Sequence, residues 1–101
     1  MDYEFASKDL SDLYLSGKGS ERYPPEVVDA YLRRIRHIEA AHTEQDLRNP
    51  PSVHFEKLKR KEYTGKFSMR LNQRWRLIIS IDLKQKLKTV TIHEITKHYG
   101  D

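Results

Sequence analysis

At 101 residues and 12.0 kDa the chain suits one domain, residues 1–101, burying about 65% of the surface its unfolded form exposes. With no cysteine, no apolar run near the roughly 20 residues of a membrane span, and an acidic N-terminus unlike a signal peptide, it excludes disulfide, thiolate-metal and membrane-spanning classes and is expected in the cytosol. The formal charge of +4 divides unevenly: residues 1–56 hold 11 acids and 7 bases, residues 57–101 hold 4 acids and 12 bases, so the C-terminal half favours a polyanionic partner.

Taken in chain order, FASKDLSDLYLSGKG predicts a short strand or arm and then a helix capped by Ser7, with Leu10, Leu13 and Tyr14 on one side and Gly17 closing it. YPPEVVDAYLRRIRHIEAAH predicts the main helix. Proline opens it, Glu26 and Asp29 lie in its first turn, and Arg33, Arg34 and Arg36 lie toward its end, as the helix dipole favours. Val28, Tyr31, Leu32, Ile35 and Ile38 form its apolar stripe. Thr43 is the N-cap of a short turn before the NPPS break.

From Val53 onward the pattern changes to strands: VHFEKLKR, KFSMRL, RWRLIISID and KTVTIHEITKHY, with turns near Thr64-Gly65, Asn72-Gln73 and Lys84 to Lys86. Helices followed by a meander predict an α+β fold, with N-terminal helices packed on one face of a small antiparallel sheet. In the last segment Val90 and Ile92 share one face while Ile95 falls on the other, and a bulge near His93-Glu94 reconciles them.

The segment GKFSMRLNQRWRLIISI carries the most specific chemistry. Phe67, Met69 and Leu71 alternate with polar residues, as do Trp75, Leu77, Ile79 and Ile81. Both apolar sets reach one face only if the loop has an odd number of residues. A loop over 72–74 sets Leu71 against Trp75, Met69 against Leu77 and Arg70 against Arg76. Like charges directly opposite cost a few tenths to about 1 kcal/mol. A phosphate held between two guanidinium forks compensates that repulsion. Lys57, Lys59, Arg60, Lys61 and Lys66 lie just upstream, with too few acids nearby to neutralise them, and the surface reads as one for nucleic acid.

These residues carry a resemblance to a known family. YLSGKGSERYPPEVVDAYLRRIRHIEAAHTEQDLRNPPS, FEKLKR, GKFSMRLNQRWRLIISI and EITKHYG resemble, in order and spacing, the HigB group of the RelE superfamily, toxins of bacterial type II toxin–antitoxin modules. The most specific part is the Arg-x-Asn-x-x-Trp-Arg pattern after G-x-x-S-x-R. The resemblance implies a microbial-ribonuclease-like fold and a ribosome-dependent mRNA endonuclease. It implies no metal or other cofactor, with the 2′-hydroxyl attacking the neighbouring phosphate. It also implies ribosome and messenger as partners, and a cognate helix-turn-helix antitoxin of the HigA type.

Such a cleavage needs a base, an acid and fixed cations where phosphorane charge develops. Arg70 and Arg76 supply cations, and Lys59 matches the family's basic residue on the preceding strand. His98 and Tyr99 are the candidate proton-transfer groups, and Lys57, Arg60, Lys61, Lys66 and Arg74 the candidate phosphate grips. The chain departs from the family's Asp-Tyr-His ending: it has Lys97-His98-Tyr99, leaving Asp101 or Glu94 to replace the carboxylate in space.

HEITKH at 93–98 is not a zinc motif, because its histidines are five apart rather than four and its residues are β-branched. His37, His42 and His54 read as surface or packing residues, Trp75 as core, and Tyr63 as an exposed ring in a turn. Two other classes stay open on the residues alone. One is a gyrase-inhibiting toxin of the same superfamily that cleaves nothing, and the other a nucleic-acid-binding module without catalysis.

Overall fold

Local chemistry sets the helix ends. Ser7 accepts a hydrogen bond from the Leu10 N–H and opens α1 (Lys8–Ser16), which Gly17 closes in the left-handed region at φ 77°. Pro25 starts α2 (Pro25–Ala40). Thr43 and Asp46 form a reciprocal capping box on α3 (Glu44–Arg48). The strands are β1 (Asp2–Phe5), β2 (Glu56–Lys57), β3 (Lys66–Arg70), β4 (Trp75–Asp82) and β5 (Thr89–Lys97). The structure is a computed structural model and describes residues 1–82 and 88–97. The expected turn at Lys84 to Lys86 lies outside those residues.

One sheet runs in the order β1-β5-β4-β3-β2. The helices cover one face, and the α+β class is the observed one. The sheet is mixed rather than wholly antiparallel, because the N-terminal arm lies parallel to β5, with Tyr3 beside Val90 and Phe5 beside Ile92. The rings of Tyr3 and Phe5 meet edge-on at 5.7 Å on the helix side, which gives the arm its reason to join. The strand expected over 53–60 shrinks to two residues. Pro51–Val53 form a 3-10 turn, and His54 adopts a positive φ of 46°, so extended backbone starts only afterwards. Among the described residues no helix is long and apolar enough to cross a membrane.

The core joins Leu10 and Leu13 to Val27, Ala30, Tyr31, Ile35 and Ile38 of α2, and these to Met69, Leu77, Ile79, Val90 and Ile92 of the sheet. The buried stripe of α2 is rotated from the expected one: Val27 and Ala30 are fully buried, whereas Val28 and Leu32 are partly so. The helix faces α1 as well as the sheet, and the Tyr31 hydroxyl donates to the Leu10 carbonyl at 2.7 Å to tie the two helices. Trp75 is not fully core. Its ring is half-buried, with Tyr23 edge-on at 5.6 Å and the Lys97 ammonium 5.5 Å from its centroid.

The bulge on β5 is present. Ile79 pairs with Ile92 but Ile78 pairs with Glu94, so His93 is the extra residue, and Ile95 returns to the apolar side opposite Leu77. Both His93 and Glu94 therefore stand on the face away from the helices.

Candidate RNA-cleavage site on the open sheet face

The open face is built from rows of side chains whose pairing the ladder fixes. Glu56, Ser68, Ile78 and Glu94 form one row across four strands, and Arg70, Arg76 and Thr96 form the next. The hairpin register is the one the alternation requires, with Arg70 directly opposite Arg76. Leu71 donates its N–H to the Trp75 carbonyl at 2.9 Å. The neighbouring arginine pair is then of the non-hydrogen-bonded kind, in which Cα atoms approach to about 4.5 Å and side chains stand closer.

Both guanidiniums are left with unused donors. Arg76 is 5% exposed, and among the described residues its Nε and Nη1 find no hydrogen-bond partner, nor does Arg70 Nε. Burial holds the Arg76 guanidinium below its ordinary range, the Glu56 carboxylate partly opposes this, and the Arg70 charge pushes the same way as burial. The two cations thus sense each other. Ser68, 1% exposed between Glu56 and Ile78, has a hydroxyl on the same face with no partner among the described residues. Buried donors without acceptors cost about 1–3 kcal/mol each.

Glu56 does not stand out in the sequence, where FEKLKR draws attention to its lysines. Its membership of the site depends on β2 pairing with β3, across an intervening segment whose length hides the register. Glu94 arrives on this face through the bulge. Tyr63 is not the exposed ring expected: it is half-buried, and its interaction with the Glu94 carboxylate, then burial, raise its pKa. The segment following β2 thereby folds over the polar face. Leu58 and Ile78, buried but outside the main core cluster, give that face an apolar floor.

The other expected residues are placed variously. Lys59 and Arg60 line a cleft of about 600 Å³ with Glu56, Lys57 and Leu58. Lys57 pairs with Phe67, so its side chain leaves on the helix-bearing side and does not join the arginine rows. Lys66 is half-buried on the open face beside Ser80, near enough to His93 to lower the ring's pKa. Arg60 and Lys61 are exposed, with Arg60 Nη1 4.0 Å from a Glu62 oxygen. Arg74 is exposed in the hairpin turn, its N–H bonded to Asn72 Oδ1 at 2.8 Å, and lines a second cleft of about 680 Å³ with Pro24, Glu26, Trp75 and Lys97. His98 and Tyr99, with Asp101, lie outside the described residues. His37 and His42 belong to the helix layer: His37 Nε2 lies 3.4 Å from the Leu47 carbonyl, and His42 is exposed, as is His54.

Comparison with known proteins gives a consistent set of relatives. The family model for the RelE-like toxin of type II toxin-antitoxin system HigB matches residues 3–97. Toxin HigB-1 of Vibrio cholerae serotype O1 is 36% identical over 78 residues, 77% of this chain and 81% of that protein. Among solved structures, the YoeB/ParE toxin from Agrobacterium tumefaciens superposes with a TM-score of 0.59 at 16% identity, over 98% of this chain and 100% of that one. The YoeB–YefM complex from Staphylococcus aureus gives 0.60 at 20% identity, over 98% of each chain. YafQ from Escherichia coli BL21(DE3) gives 0.59 at 13% identity, over 96% of this chain and 92% of that one. At these identities the structural likeness establishes a shared fold.

Proposed function

The chain belongs to the RelE-like HigB toxins of type II toxin–antitoxin systems, and from that premise we propose that it is a ribosome-dependent endoribonuclease that cuts messenger RNA by attack of a 2′-hydroxyl on the adjacent phosphate. One observation carries this reading: Arg70 and Arg76 are held side by side with donor nitrogens that nothing in the described chain satisfies. A scissile phosphodiester laid between them gains two guanidinium forks, and the charge that develops on its non-bridging oxygens in the phosphorane strengthens those contacts.

The remaining roles complete the proposal. Ser68 lends a hydroxyl from the floor. Glu56, whose charge already acts on Arg76, accepts the 2′-hydroxyl proton. Proton donation to the departing 5′-oxygen falls to His98 or Tyr99, and Lys59 with Arg60, Lys61, Lys66 and Arg74 grips flanking phosphates. The products are a cyclic 2′,3′-phosphate and a 5′-hydroxyl end. As a type II toxin the chain has an antitoxin partner, which we propose to be a helix-turn-helix protein of the HigA type encoded beside it.

In a reconstituted translation system, messenger fragments with 5′-hydroxyl ends are expected only when ribosomes are present. Arg70→Ala and Arg76→Ala should each slow cleavage by about 10²–10³-fold, the usual cost of deleting one donor to a developing oxyanion. Intact messages with growth arrest preserved in both variants would reject the nuclease reading. Stalled gyrase–DNA complexes in the same cells would replace it with the gyrase-directed one.

A further inference from the structure

The carbonyl oxygen of Arg70 has no strand to bond. Because the Arg70–Arg76 pair is non-hydrogen-bonded, the backbone N–H and C=O of Arg70 point to the other edge of β3. β2 runs along that edge only opposite Ser68 and Phe67, with the Leu58 N–H reaching the Lys66 carbonyl at 3.0 Å. Two residues before Glu56 the backbone turns away at His54. Arg34 of α2 takes the vacant place: its Nε–H donates to the Arg70 carbonyl at 2.9 Å, across 36 residues of sequence. Its guanidinium is half-buried, and that burial, then Arg33, lower its pKa. Desolvating a cation for one backbone bond is a cost that a plain surface arginine avoids.

We propose that Arg34 is a positioning residue for Arg70: it fixes the backbone where β2 no longer does, so that the Arg70 guanidinium meets the phosphate opposite Arg76. This rests on the ribonuclease reading above. The role belongs to the Nε–H and not to the charge, which makes it separable by substitution. Glutamine places an amide N–H at the same distance from Cα as arginine Nε, without charge. Methionine has similar length and no donor. Lysine keeps the charge but carries its donors one bond further out.

The test measures single-turnover cleavage of ribosome-bound message by the full chain at saturating toxin, beside its ribosome affinity. Arg34→Met and Arg34→Lys should lower the saturated rate by about 10- to 100-fold, in line with the sensitivity of such chemistry to misplacement near 1 Å. Ribosome affinity should change by less than about threefold, Arg34→Gln should stay within about threefold of the native rate, and Arg33→Ala should change neither. In an Arg70→Ala background, Arg34→Met should add nothing. If Arg34→Lys is active and Arg34→Gln is not, the charge acts directly and positioning is wrong. Full activity in all Arg34 variants is equally fatal. If Arg70→Ala leaves cleavage intact, it is the site reading that fails. The Arg70 Nε–Hε resonance, titrated with inorganic phosphate, decides the matter without turnover: the midpoint should weaken at least about threefold in Arg34→Met and hold in Arg34→Gln, and equal midpoints would overturn the proposal.

Discussion

At the scale of single residues, the open face keeps polar atoms where a fold optimised for stability would keep carbon. Among the described residues, Arg76 at 5% exposure has two donor nitrogens without partners, and Ser68 at 1% a hydroxyl without one. Replacing such groups by apolar ones of similar shape removes a desolvation cost without leaving a partner stranded. Arg76→Met should therefore raise the unfolding free energy by about 1–2 kcal/mol, and Ser68→Ala should be neutral or stabilise by up to about 1 kcal/mol, in denaturant titrations. Both should lower cleavage. A destabilised Arg76→Met chain would mean that the guanidinium is already satisfied in the folded state, and the anion-site reading would lose its physical basis. Stability yielded at a functional position in this way is common. Alternation within GKFSMRLNQRWRLIISI makes the arginine pairing readable, but which guanidinium nitrogens lack partners depends on every neighbour.

At the scale of elements, the β5 bulge decides what the open face contains. It turns His93 and Glu94 to the same side, where His93 Nε2 sits 2.7 Å from Ser80 Oγ and the Glu94 carboxylate raises the Tyr63 pKa. Burial, then the nearby Lys66 charge, lower the His93 pKa, with Glu94 opposing. The folded chain thus prefers the neutral ring. Its contribution is complete above the ordinary unfolded value of about 6.5 and is lost as pH falls through the lower folded value. The stability advantage of the native chain over His93→Gln, followed by thermal melting from about pH 7.5 to about pH 5, should shrink toward acid. A gap independent of pH would show that the ring takes up as many protons folded as unfolded. Two apolar sets out of phase, Val90 with Ile92 and then Ile95, reveal this bulge in the sequence. Nothing comparable reveals that β2 is only two residues long, because the positive φ of His54, which ends the 3-10 turn Pro51–Val53, has no signature in the residue pattern.

At the scale of the whole molecule, the charge is sorted between halves that serve different layers. Residues 57–101 carry 12 of the 19 Lys and Arg; Lys59 and Arg60 line one cleft with Glu56, and Lys61 follows in the exposed 3-10 turn Lys61–Tyr63. Phosphate gripping by such groups releases counterions, so ribosome or message affinity should fall linearly in logarithmic plots against salt. Lys59→Gln with Lys61→Gln should flatten that slope by about 0.7 for each single-strand phosphate no longer gripped. A slope unchanged by the double substitution would remove these lysines from the RNA path. The acidic half builds the helix layer, but α2 also sends Arg34 around the sheet edge to Arg70, so the layers are not functionally separate.

The sequence by itself determined the helix caps, the change from helices to strands, the hairpin register and the need for a bulge, because each of these follows from residues within a few positions of one another. Tertiary structure alone decided that the N-terminal arm runs parallel to β5, that Glu56 and Ser68 share a face with the arginines, and that Arg34 closes the gap beyond β2. Those pairings join residues 36 to 87 positions apart or depend on how a short strand ends. Periodicity along a chain fixes which way a side chain points but not which distant neighbour it meets.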